Sequence, residues 1–152
     1  MVTFKQVYTA LDAQQARLYG YPVGFAKAAT IEYNGKYGVF LDMSASFTLA
    51  EMLECLCHEC GHCATGATHR TGSPWDLVEK HEYKANRWAI EQFLPFNALQ
   101  DAMHNGCTEP WQLAEAFGLP QPFIEKALHH YTQIRQKTFF KMQNPIDNRQ
   151  TG

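Results

Sequence analysis

An excess of one charge is what this 152-residue sequence most plainly lacks: 13 Lys and Arg stand against 15 Asp and Glu, a formal net charge of −2. Without a basic stripe, direct nucleic-acid binding is not expected, and there is no acidic tail. No stretch approaches the roughly 18 apolar residues that a membrane span needs. Met1 to Val7 shows no basic segment running into an apolar one, which argues against a secretory signal. Internal repeats and low-complexity segments are missing too. The expectation is a soluble, cytoplasmic protein without a membrane partner. Cysteine usage agrees with a reducing compartment: the number is odd, five, and Cys55, Cys57, Cys60 and Cys63 crowd one short stretch. Disulfides between neighbours along one helix are geometrically poor.

What is present suffices for a packed core. Hydrophobic residues make up 45% and aromatics 13% of the chain, which suits one domain, residues 1–140, ahead of a loose polar tail, 141–152. The spacing of Phe4, Val7, Tyr8, Leu11 and Leu18 predicts a first helix over 3–19. Residues 29–42 read as a β-hairpin turning at Asn34-Gly35. Thr48 and Glu51 form a capping box for a helix running to about Ala64. Ser73-Pro74 then opens a helix over 75–93, stopped by Pro95. Shorter helices are expected over 96–104, from a Thr108 cap to Phe117, and over 121–138. The fold class is therefore α+β, a small hairpin or sheet against a mainly helical domain.

The chemistry concentrates at His58-Glu59-Cys60-Gly61-His62. Two histidines four residues apart on a helix project from one face, and such a pair can grip a tetrahedral Zn²⁺. Glu59, displaced around the helix, flanks the metal rather than joining it, and a carboxylate there can take a proton from an activated water. Gly61 costs helix stability, ~1 kcal/mol relative to alanine, so a close neighbour is expected beside it. A catalytic zinc usually has three protein ligands. The helix over 75–93 offers Glu82, with Ala85, Asn86 and Ala89 on the same face; two alanines there permit close approach. Glu82 is read as the third ligand, with Glu79 as the fallback, and His81 as a surface residue. Asn86, one turn on, is placed to fix the tautomer of a ligand histidine.

The remaining cysteines and histidines carry weaker signals. Cys57-x-x-Cys60 and Cys60-x-x-Cys63 have the spacing of a redox or zinc motif, yet both lie inside a helix and lack a second matching pair. Cys57, Cys60 and Cys63 are read as small buried residues. Cys55 shares the face of His58 and His62, as a wall of the site or a fourth ligand. His69, His104, His129 and His130 are candidates to hydrogen-bond an oxyanion or substrate, and His69 is favoured because it follows the motif helix closely.

Residues 25–95 resemble the ImmA/IrrE family of zinc metallopeptidases. The resemblance rests on His58-Glu59-Cys60-Gly61-His62, on Glu82-Tyr83-Lys84-Ala85-Asn86-Arg87-Trp88-Ala89, and on the closing Phe93-Leu94-Pro95, against a family pattern of H-E-x-G-H, then E-x-x-A-N-x-[FW]-A and Leu-Pro. It implies a zincin-like fold with the metal between two helices, His58, His62 and Glu82 as zinc ligands, and Glu59 as catalytic acid/base. It also implies a phage or mobile-element setting and a helix-turn-helix transcriptional repressor as the protein substrate. The cysteine-rich motif helix departs from the aliphatic residues more usual in that family. The helical pair over 108–138 has a helix-turn-helix look around Leu113-Ala114-Glu115-Ala116-Phe117-Gly118-Leu119, but its modest basicity favours packing or repressor docking over DNA. Two other readings stand beside the peptidase: a non-catalytic zinc protein that sequesters a repressor, and a cysteine-based redox or zinc sensor.

Overall fold

Thr3 and Gln6 start the first helix by exchanging hydrogen bonds. The Gln6 N–H donates to the Thr3 hydroxyl at 3.3 Å, and the Thr3 N–H donates to Gln6 Oε1 at 2.8 Å, so two donors that the helix leaves orphaned are satisfied. This helix, α1, spans Phe4–Ala13 and buries Val7 and Leu11. The computed structural model describes residues 1–68 and 73–139. Within them the chain is α+β: six α-helices and a three-stranded mixed sheet.

The first helix is shorter than its hydrophobic spacing suggests. It ends at Ala13, Gln15 takes a φ of 54°, and Ala16–Gly20 forms strand β1. Leu18 fits a helical period after Leu11, but Ala16 and Leu18 fit a two-residue period as well. The ladder that β1 makes with β3, parallel from Ala16 opposite Tyr37 to Gly20 opposite Leu41, decides between them.

Strands β2 (Ala28–Tyr33) and β3 (Lys36–Leu41) form the expected antiparallel hairpin. Asn34 and Gly35 at its tip both have positive φ, 51° and 72°, the backbone that a two-residue turn needs. Strand order is β1-β3-β2, so β2 is an edge.

Helix α2, Leu49–Thr65, begins in the Thr48–Glu51 box, with the Glu51 N–H 3.2 Å from the Thr48 hydroxyl and the Thr48 N–H 2.7 Å from Glu51 Oε2. It ends at Gly66, left-handed at φ 61°. Helix α3, Trp75–Phe93, starts with Pro74 rather than Ser73 in the cap position, and no side chain caps it. Helix α4 is Phe96–His104. Helix α5, Pro110–Phe117, is capped by Glu109 instead of Thr108, because Glu109 makes the reciprocal box with Gln112.

Helix α6 covers only Gln121–His129 and passes into a π-helical turn, His130–Ile134. His130 and Tyr131 in this turn are both buried: His130 Nε2 is 3.0 Å from Glu91 Oε1, and the Tyr131 hydroxyl donates to the Leu94 carbonyl at 3.0 Å. The tail over 141–152 lies outside the described residues.

Helix α2 is central. It packs along α3 and also touches α1 and β2. Its Leu53, Leu56, Cys57, Cys60 and Cys63 join Val7, Val39, Ile90, Leu113 and Ile124 in one hydrophobic core. Among the described residues, no helix is long and apolar enough to cross a membrane.

Candidate metal centre

The two motif histidines leave α2 one turn apart, and α3 brings Glu82 to them. His58 Nε2 lies 3.1 Å from Glu82 Oε2, His62 Nε2 lies 3.4 Å from Glu82 Oε1, and the two Nε2 atoms are 3.0 Å apart. The ligating atoms of all three fall within 4.8 Å of one another. Gly61 and Ala85 make this convergence possible. Both are buried, and a Cβ on Gly61 would collide with the Ala85 backbone, so the two helices touch main chain to main chain beside the cluster.

The far ring nitrogens fix what the near ones offer. His58 Nδ1 is 3.0 Å from Asn86 Oδ1, and His62 Nδ1 is 2.7 Å from the Ala67 carbonyl. Both partners only accept, so each Nδ1 carries the hydrogen and donates it. When the rings are neutral, both Nε2 atoms then present lone pairs, toward each other and toward a carboxylate. Among these three side chains no hydrogen faces inward, and a cation at the centre relieves the repulsion. Two imidazoles and one carboxylate form a donor set suited to zinc, with all three ligating atoms within 4.8 Å of one another. The residues fit the ion.

Protons fill the same role in the metal-free chain. Burial pulls the His62 ring down, but hydrogen bonds to Glu82 and the Ala67 carbonyl outweigh it, and the ring is held above its ordinary 6.5. Hydrogen bonds from His58 and then His62 hold the Glu82 carboxyl well below the usual carboxylate range, against the opposing effect of burial.

Glu59 is 6% exposed and stands beside the cluster without joining it. Its Oε2 accepts a 2.6 Å hydrogen bond from the Thr30 hydroxyl on β2. Both residues line an open cleft of about 1030 Å³, together with His58, His62 and Glu82. One wall of the cleft is the chain from Phe25 to Ile31, which carries the edge strand; Cys55 and Glu54 of α2 and Lys126 of α6 lie along another.

The other residues singled out in the sequence fall elsewhere. Glu79 is exposed and outside the cluster, and His81 is half-buried rather than on the surface. Cys55 lines the cleft, but no thiol belongs to the cluster among the described residues. Cys57, Cys60 and Cys63 are buried and unbridged. Burial pushes the Cys60 thiol up to about 12 and the Cys63 thiol up to about 11. His104 and His129 are exposed, and His130 is buried against Glu91 away from the cleft. His69 lies outside the described residues.

Thr30 and Ala67 are the participants that the sequence did not reveal. Ala67 acts through its carbonyl, which no side-chain pattern reports. Thr30 had a signal in the alternation of the hairpin, which puts Ala28, Thr30 and Glu32 on one face. Comparison of the chain with protein-family models, with curated proteins and with solved structures finds no match.

Proposed function

We propose that the protein is a zinc-dependent endopeptidase that hydrolyses a peptide bond in a protein substrate. The observation that carries this reading is the convergence of His58, His62 and Glu82, with the Nδ1 of each ring on an outward acceptor, while the Glu59 carboxylate stands beside them in an open cleft. Zinc held by these three residues would polarise a carbonyl and bring the pKa of a water towards ~7.

The chain's own groups supply the rest. Glu59 accepts a proton from the attacking water and returns it to the departing amine. Asn86 and the Ala67 carbonyl hold the two rings in the tautomer and orientation that aim Nε2 at the centre. The β2 edge offers main-chain hydrogen bonds to an extended substrate segment with little demand on its sequence. Lone-pair donors alone would serve a structural metal equally well. The buried carboxylate that is not a ligand, and the cleft around it, favour hydrolysis.

The likeness of His58 to His62 and of Glu82 to Ala89 to the ImmA/IrrE pattern suggests the substrate class: a helix-turn-helix transcriptional repressor, in a phage or mobile-element setting and in the cytoplasm. Helices α5 and α6 would dock it.

The test is Glu59→Gln on the zinc-loaded protein with such a repressor, followed by gel and mass analysis. Wild type is expected to yield fragments, and Glu59→Gln to keep its zinc and leave the repressor whole. Cleavage by Glu59→Gln in a clean preparation sinks the assigned role. An intact repressor bound stoichiometrically by wild type points to sequestration instead.

A further inference from the structure

Thr30 touches two parts of the site at once. On β2 it pairs with Val39, a fully buried residue of β3, so its side chain turns inward to α2 and donates to Glu59 Oε2 at 2.6 Å. Its main-chain N–H and C=O lie in the plane of the sheet, at right angles to the side chain. In a hairpin with a two-residue turn the closing pair, here Tyr33 and Lys36, is hydrogen-bonded, and such pairs recur at every second position. Ile31 with Gly38 and Ala29 with Phe40 thus bond across to β3. The N–H and C=O of Thr30 point away from β3, toward the open edge that walls the cleft.

The direction of the hydroxyl is also set. The Thr30 hydroxyl stands 2.6 Å from Glu59 Oε2. A hydroxyl has one hydrogen and two lone pairs. Thr30 Oγ1 donates that hydrogen to Glu59 Oε2. A carboxylate accepting from a hydroxyl makes a short, charge-assisted bond, and one that is almost fully buried loses much if it is unpaired.

We propose that Thr30 is a positioning residue for Glu59: its hydroxyl holds Oε2 and dedicates Oε1 to the water and the departing amine. Because the backbone of the same residue faces the substrate edge, an extended segment pairing with β2 steadies the strand that orients the base. This rests on the peptidase reading of the site. It assigns Thr30 an effect on turnover rather than on binding.

The test compares zinc-loaded wild type, Thr30→Val and Thr30→Ser on a cleavable repressor segment, with zinc content measured for each. Val keeps the shape and strand preference and removes the hydroxyl; Ser restores it. Thr30→Val is expected to keep one zinc per chain and its KM within about twofold, and to lose about 10–100-fold in kcat. Thr30→Ser should return to within about threefold of wild type.

A second measurement needs no activity. In the metal-free protein, Thr30→Val should lower the melting temperature less than half as much in a Glu59→Ala background as in wild type, because the two side chains are coupled. If Thr30→Val does not fold, Thr30→Ala takes its place in both measurements. An active wild type with an indifferent Thr30→Val, or additive melting shifts, overturns the role of Thr30 and leaves the peptidase reading standing. A zinc-loaded wild type that cleaves nothing overturns both.

Discussion

Gly61 of α2 faces the backbone of Ala85 on α3 so closely that a Cβ at Gly61 would lie 2.8 Å from the Ala85 carbonyl carbon and 2.9 Å from its Cα. Backbone cannot swing aside as a side chain end can, so the helices would have to part. Gly61→Ala gains ~1 kcal/mol of helix propensity and meets an overpacking cost of ~1–3 kcal/mol or more. The net expectation is a lower melting temperature. Because Glu82 reaches His58 and His62 across this same contact, zinc affinity should fall as well. Thermal unfolding and zinc titration check the two effects; a variant with unchanged stability would show that the helices are not in register here.

Asn86 offers a more selective change. Its Oδ1 accepts from His58 Nδ1 at 3.0 Å, and it touches the proposed metal only through that ring. Asn86→Ala frees the ring to adopt the other tautomer. Zinc affinity is expected to drop about 10–100-fold, with fold and melting temperature nearly kept. Glu82→Gln, which removes a direct ligand, should weaken zinc further. Competition with a chromophoric chelator measures both; an Asn86→Ala affinity equal to wild type would remove the orienting role.

The share of this architecture that could be read from sequence follows the range of the forces involved. The Thr48–Glu51 box, the Asn34-Gly35 turn and the Pro95 stop act within a few residues, and each stands where the pattern put it. Strand β1 did not announce itself, since Ala16 to Gly20 is held by pairing with β3, some twenty residues away. The π-helical turn at His130 answers to Glu91 and Leu94 on other parts of the chain. At the site, the four-residue spacing of His58 and His62 and the small faces of Gly61, Ala85 and Ala89 are local facts. The Thr30 contact with Glu59 depends on how the sheet lies on α2, and no local pattern carries that.

The cysteines give a separate test. Cys57, Cys60 and Cys63 are 0%, 0% and 3% exposed, and burial pushes all three thiols upward in pKa. Thiolate is the reactive form, so these three should resist alkylation in the native protein at pH 8. Cys107, partly exposed, is expected to react first, and Cys55, partly exposed but also pushed upward in pKa by burial, next. Mass spectrometry after timed iodoacetamide treatment reads the order. Zinc content and cleavage should survive labelling that stops at Cys107. Rapid native labelling of Cys60 or Cys63 would favour a thiol-based sensor over the peptidase.

Protons and zinc compete for His62, and the direction of the competition sets the pH behaviour. In the metal-free chain the His62 ring is held above its ordinary 6.5 by Glu82 and the Ala67 carbonyl, with burial opposing them. A raised folded-state value means that its stabilising contribution is complete below about 6.5 and is lost as pH rises through the raised value. For Glu82 the carboxyl is lowered, so its contribution is present above its ordinary 4.5 and lost only in stronger acid. The pair therefore supports the metal-free protein best between about pH 4.5 and 6.5. Zinc needs the same Nε2 without its proton, so apparent affinity should climb about tenfold per pH unit for each proton displaced, and level off above the raised value. The rise in melting temperature on adding zinc is then expected to be larger at pH 8 than at pH 5.5, while the metal-free protein is less stabilised by this pair at pH 8. Calorimetric scans with and without zinc at the two pH values check it. An equal zinc-induced shift at both would mean that His62 does not exchange a proton for the metal.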